Sequence, residues 1–145
     1  GCSGPFPWPR LERLVIACPN AQDEVYEHLP PTLRALSLRH WKFAWLHEGL
    51  VPSLYHSSGA MLAILRRCAA ADIERLEIEY RADSTSEDAM LRFVAGGAFP
   101  RLERLTLLRY DEPYDEGDFP ARIAAALAPM SSLRHLRVYF DFFQY

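Results

Sequence analysis

No hydrophobic run in the 145 residues approaches the ~20 a bilayer-spanning helix needs, and no secretory leader pattern opens the chain. Basic residues are not in excess. Sixteen Lys and Arg stand against nineteen Asp and Glu, a formal net charge of −3, which argues against a general nucleic-acid binder. Cysteine is scarce: Cys2, Cys18 and Cys68 are odd in number and too scattered for a disulfide framework or a metal knuckle. A reducing compartment, cytoplasm or nucleus, is therefore expected. Glycine is thin as well, and the Gly96-Gly97 pair follows a helical pattern where a phosphate loop would open one. What is present suffices for a core. Half of the residues are apolar and 24% are charged, which fits a single folded domain over residues 1–145. The chain opens on Gly1 instead of Met and is read as a piece of a longer one.

Five segments share one spacing of apolar residues: Leu11, Leu14, Ile16; Leu33, Leu36, Leu38; Ile73, Leu76, Ile78; Leu102, Leu105, Leu107; and Leu133, Leu136, Val138. Each reads L-x-x-L-x-L with conservative swaps. Leu11-Glu12-Arg13-Leu14, Ile73-Glu74-Arg75-Leu76 and Leu102-Glu103-Arg104-Leu105 are nearly identical, and Pro9, Pro31 and Pro100 each stand two residues before a leading Leu. The leading positions are separated by 22, 40, 29 and 31 residues, so the second interval holds an insertion or a degenerate copy.

Apolar residues two apart face one side of a strand, so Leu14 and Ile16 point inward while Arg13, Val15 and Ala17 point outward. Proline ahead of three of these motifs disfavours helix there and removes no ladder donor. The intervals read as return helices, which parallel strands need. Residues 58–71 place Met61, Leu62, Leu65, Cys68 and Ala69 on one face. Ser84-x-x-Glu87 has the spacing of a capping box ahead of Ala89, Met90, Phe93 and Val94, and Gly96-Gly97 ends that helix. Residues 118–128 form a third helix, with Pro120 early and Pro129 as the stop, while 19–29 has room for about two turns.

This pattern resembles the leucine-rich repeat family across almost the whole chain. The resemblance implies an α/β solenoid of about five irregular repeats, with a curved parallel sheet inside and helices outside. One departure stands out. Where the family often has Asn or Cys bonding neighbouring backbone, this chain has Pro19, Trp41, Arg81, Tyr110 and Asp141. The irregular repeats, proline-led motifs and acidic loops resemble the repeat region of fungal F-box proteins. In those proteins an N-terminal F-box binds the ubiquitin-ligase scaffold and the repeats hold the substrate. With the first repeat beginning at Leu11, the scaffold would be met only through an N-terminal module missing from this chain.

Signals for chemistry are weak. His40, His47 and His56 do not share a helix face at i, i+4, and no cysteine completes a zinc set, so no metal or cofactor is expected. Cys68 falls on the apolar face of its helix, where an inert buried thiol is expected. Asp111, Glu112, Asp115, Glu116 and Asp118 lack the oxygen spacing and central glycine of a calcium loop; they and the stretch 83–88 read as solvated rim loops. The insertion carries Trp41, Phe43, Trp45, Leu46, Leu50, Leu54 and Tyr55, read first as local core. Trp41, Trp45 and Tyr55 are its candidates for an alternative partner site.

The outward strand positions carry the remaining candidates. They are Arg13, Arg39, Arg75, Glu77, Glu79, Arg104, Thr106, His135, Arg137 and Tyr139. Five arginines against two glutamates make this face basic in an acidic chain. The expected function is a non-catalytic protein-interaction module that takes a protein or acidic peptide on its concave face, with no nucleic-acid or membrane partner. Two other readings stand beside it: an enzyme with a Cys/His nucleophile in the stretch 41–68, and a structural spacer without a ligand.

Overall fold

The computed structural model describes residues 7–39, 56–68, 72–83, 85–110 and 118–141. Five strands, β1 (Arg13–Ala17), β2 (Ala35–Arg39), β3 (Arg75–Arg81), β4 (Arg104–Tyr110) and β5 (His135–Asp141), form one sheet in chain order. Every neighbouring pair is parallel. The connections carry α1 (Ser58–Cys68), α2 (Glu87–Phe93) and α3 (Phe119–Leu127), with a 3₁₀ turn at Glu24–His28. The fold is α/β, an all-parallel sheet flanked by helices.

The spacing seen in the sequence is what sets the register. Leu14, Leu36, Leu76, Leu105 and Leu136 stand in one row across the sheet, and Ile16, Leu38, Ile78, Leu107 and Val138 in the next. In the three central strands these side chains are buried against Met61, Ile64, Leu65, Met90, Leu91, Ile123 and Leu127 of the helices. One local turn recurs at the mouth of four strands. Leu11, Leu33, Leu102 and Leu133 each donate their N–H to the carbonyl three residues back, on Trp8, Pro30, Phe99 and Met130. The second motif residue then hands its carbonyl to the next strand: Glu12 O accepts from Arg34 and Ala35, Arg34 O from Glu74 and Arg75, Glu74 O from Glu103 and Arg104, and Glu103 O from Arg134 and His135.

The helices follow their local signals with one correction. α3 begins at Asp118, whose carboxylate accepts from the Ala121 N–H, with Pro120 in its first turn. α2 runs on as a π turn over Val94–Ala98 and stops at Gly97, whose φ of 99° suits glycine. Glu87, read as the far end of a capping box and as part of a solvated loop, is neither. It is buried, and its carboxylate accepts from Tyr80 and Arg109. Ala69, Ser84 and the insertion at 41–55 lie outside the described residues. No described helix is long and apolar enough to cross a membrane.

Candidate functional site

Strand parity carries the candidate residues to the face opposite the helices. One row across that face reads Arg13, Ala35, Arg75, Arg104 and His135; the next reads Val15, Ser37, Glu77, Thr106 and Arg137. Between these rows lies an open groove of about 520 Å³, lined by the residues of both rows and by backbone of the leucines between them. Arg39 and Glu79 stand further along their strands, toward the C-terminal end, and Tyr139 is beside Leu108 there, half-exposed. None of these three lines the groove.

Arg75 and Arg104 are direct register partners on adjacent strands, so their Cα atoms are ~4.8 Å apart across the ladder. Arg137 follows one strand on and one alternate position along, beside Thr106. Among the described residues, none of Arg13, Arg75, Arg104 and Arg137 forms a side-chain hydrogen bond or ion pair. The nearby carboxylate is engaged elsewhere. Glu77 accepts from the Ser37 hydroxyl at 2.7 Å and lies 3.6 Å from Arg39 Nε, both on the β2 side, and it forms no ion pair with Arg75, Arg104 or Arg137. Among the described residues, the groove thus has cationic walls whose donors are free.

Glu79 behaves differently from the exposed contact residue that alternation predicts. It is on the expected face but only 2% exposed. Its carboxylate accepts from the Tyr110 hydroxyl at 2.5 Å and sits 3.7 Å from Arg39. Arg39 therefore bridges two carboxylates, Glu77, which lines the groove, and Glu79, which does not. Sequence parity could find the positions; it could not find that Tyr110, the strand's last residue, would fold over Glu79.

A second polar cluster lies on the helix side. Arg109 extends the inward row past Leu107, with Tyr80 beside it and Phe140 beyond. Its guanidinium is buried against Glu87, and its plane lies 4.1 Å over the Phe119 ring. Burial and the Glu87 charge hold the Tyr80 hydroxyl well above the usual phenol range.

Cys68, the last residue of α1, is buried, and burial pushes its thiol up to about 12, with Arg67 offsetting part of the shift. A nucleophilic thiol needs the opposite shift. His56, the described member of the histidine group, donates from Nε2 to the Pro19 carbonyl. His40, His47, Trp41, Trp45 and Tyr55 lie outside the described residues, as do Asp111, Glu112, Asp115 and Glu116. Among the described residues, no three of His, Cys, Asp or Glu are grouped to hold a metal ion. No family model, curated protein or solved structure matches the chain.

Proposed function

We propose that the chain is a non-catalytic protein-binding module, a leucine-rich-repeat solenoid whose helix-free, concave face takes an acidic peptide or protein segment. The observation that carries the reading is the row of unpaired guanidinium groups in the groove. Arg75, Arg104 and Arg137 crowd one another on adjacent strands while Glu77 is turned toward Ser37 and Arg39. Like charges held this close repel in the free protein, and an anionic partner relieves that repulsion on binding. Arginine suits the task because its planar fork can grip carboxylates in pairs. The resemblance of the motifs to fungal F-box repeat proteins makes the partner a substrate of a ubiquitin ligase. The ligase scaffold would be bound by a separate N-terminal module, and the setting is cytoplasm or nucleus.

The test is fluorescence anisotropy with a labelled, extended dodecapeptide rich in Glu, against the same peptide with Gln at those positions. Binding of the Glu peptide alone, lost in Arg104→Glu, supports the reading. Equal binding of both peptides, or binding untouched by Arg104→Glu, overturns it.

A further inference from the structure

The two ends of the sheet match each other as its internal strands do. Among the described residues, β1 and β5 each have one neighbouring strand. The carbonyl relay that runs from Glu12 through Arg34, Glu74 and Glu103 ends on β5, where the next carbonyl in the series is that of Arg134. At the other end, the corresponding N–H groups belong to Glu12 and Arg13, ahead of the first carbonyl of the relay. Exposure follows the same logic. In the leucine row, Leu36, Leu76 and Leu105 are 2%, 2% and 1% exposed, whereas Leu136 is 41% exposed and Leu14 is half-buried. Val138 and Ile16 repeat the pattern one row along. Among the described residues, each end has the apolar residues of an interior strand with one flank uncovered.

Charge selects the occupant. The relay position is Glu12, Arg34, Glu74, Glu103 and Arg134 across the sheet. Glu12 stands beside Arg34, Arg34 beside Glu74 and Glu103 beside Arg134, so three of the four steps set opposite charges side by side, with Glu74 beside Glu103 the exception. Continuing the series beyond Arg134 with the chain's own first strand would place Glu12 there, again an opposite charge.

We propose that a second copy of this chain docks its β1 edge on the β5 edge, parallel, with Leu136 beside Leu14 and Arg134 beside Glu12. The contact is head-to-tail, so it does not close on itself, and each added copy presents a fresh β5 edge. This inference is independent of what the basic groove binds.

Sedimentation velocity of the whole chain over a concentration series tests it. Mass should rise steadily with concentration, without stopping at the dimer. Arg134→Glu and Glu12→Arg should each raise the concentration needed for association by about threefold to tenfold, because each sets like charges side by side. An equimolar mixture of the two variants should recover association, since every junction in an alternating stack is again oppositely charged. Both positions are exposed, and unchanged thermal melts check that the variants fold. A monomer at all concentrations overturns the proposal. So does association that stops at the dimer, or that ignores Glu12→Arg, since a two-fold β5–β5 contact needs no β1.

Discussion

Glu87 and Arg109 form a two-pronged ion pair inside the protein. Arg109 Nε donates to Oε2 at 2.6 Å and Nη2 to Oε1 at 2.9 Å, with both side chains nearly inaccessible. The pair ties the start of α2 to the far end of β4, and Tyr80 adds a third donor to the same carboxylate.

Removing one partner leaves a charge stranded in the interior, so Arg109→Met alone should cost about 3–5 kcal/mol in urea unfolding. Glu87→Gln should also destabilise, though less, because an amide oxygen can still accept from Tyr80. Replacing the pair together, Glu87→Leu with Arg109→Met, should recover most of the loss, since neither substitution then strands a charge at that site. A double variant as unstable as Arg109→Met would mean that the pair holds α2 in place instead of merely satisfying itself.

Adjacent residues on β4 should differ sharply. Leu105 is buried between strands on both sides, whereas Thr106 lines the groove and is half-exposed. Leu105→Ala should cost about 2–5 kcal/mol by the lost burial and the cavity left behind. Thr106→Ala should stay within about 0.5 kcal/mol. Chemical denaturation of the two variants side by side decides it; equal losses would contradict the register.

What alternation could locate and what it could not divide along the strands. The inward leucines and the outward arginines follow from a two-residue period, and Pro9, Pro31 and Pro100 mark non-helical chain ahead of three strands; these are local properties. Arg109 escaped because an arginine at an inward position looks like the end of a strand. It is tolerated there only because Glu87, on a different element, meets it. Glu79 escaped for the same kind of reason: its burial depends on Tyr110 and Arg39, from the strands on either side. Tertiary partners of charged residues leave no periodic trace.

Alkaline pH should unfold the protein earlier than surface titration alone would. Burial carries Cys68 up to about 12 and, with help from the thiol and Asp23, carries Tyr26 up to about 12. An unfolded chain releases these protons from ordinary values of 9.0 and 10.0, while the folded chain holds them longer. The unfolded state therefore binds fewer protons in that window. Stability that is intact below pH 9 should fall as pH rises toward 12, by up to about 1.4 kcal/mol per pH unit for each group. Urea titrations at successive pH values read the slope, and Cys68→Ala should flatten it. In a Cys2→Ser, Cys18→Ser background the Cys68 thiol should also resist a disulfide reagent at neutral pH until the protein is unfolded. Rapid labelling in the folded state would revive the nucleophile reading.

The opposed arginines in the groove make stability and binding move in opposite directions. Arg75 and Arg104 face the same way on adjacent strands, and the carboxylate beside them is bonded to Ser37 and held near Arg39. A sheet face kept only for solubility gains nothing from such a pair, whereas a binding face does. Arg104→Gln should therefore leave the free protein unchanged or more stable, by up to about 1 kcal/mol at low salt, as the cross-strand repulsion is removed. The same variant should bind the Glu-rich dodecapeptide more weakly, and the difference from wild type should shrink as salt rises, since exposed charges beyond ~8 Å are screened at physiological ionic strength. Paired melts and anisotropy titrations at two salt concentrations give both quantities on one set of samples. A variant that loses stability as well as affinity would mean that Arg104 holds the sheet together, and the groove would then lose its claim as the binding site.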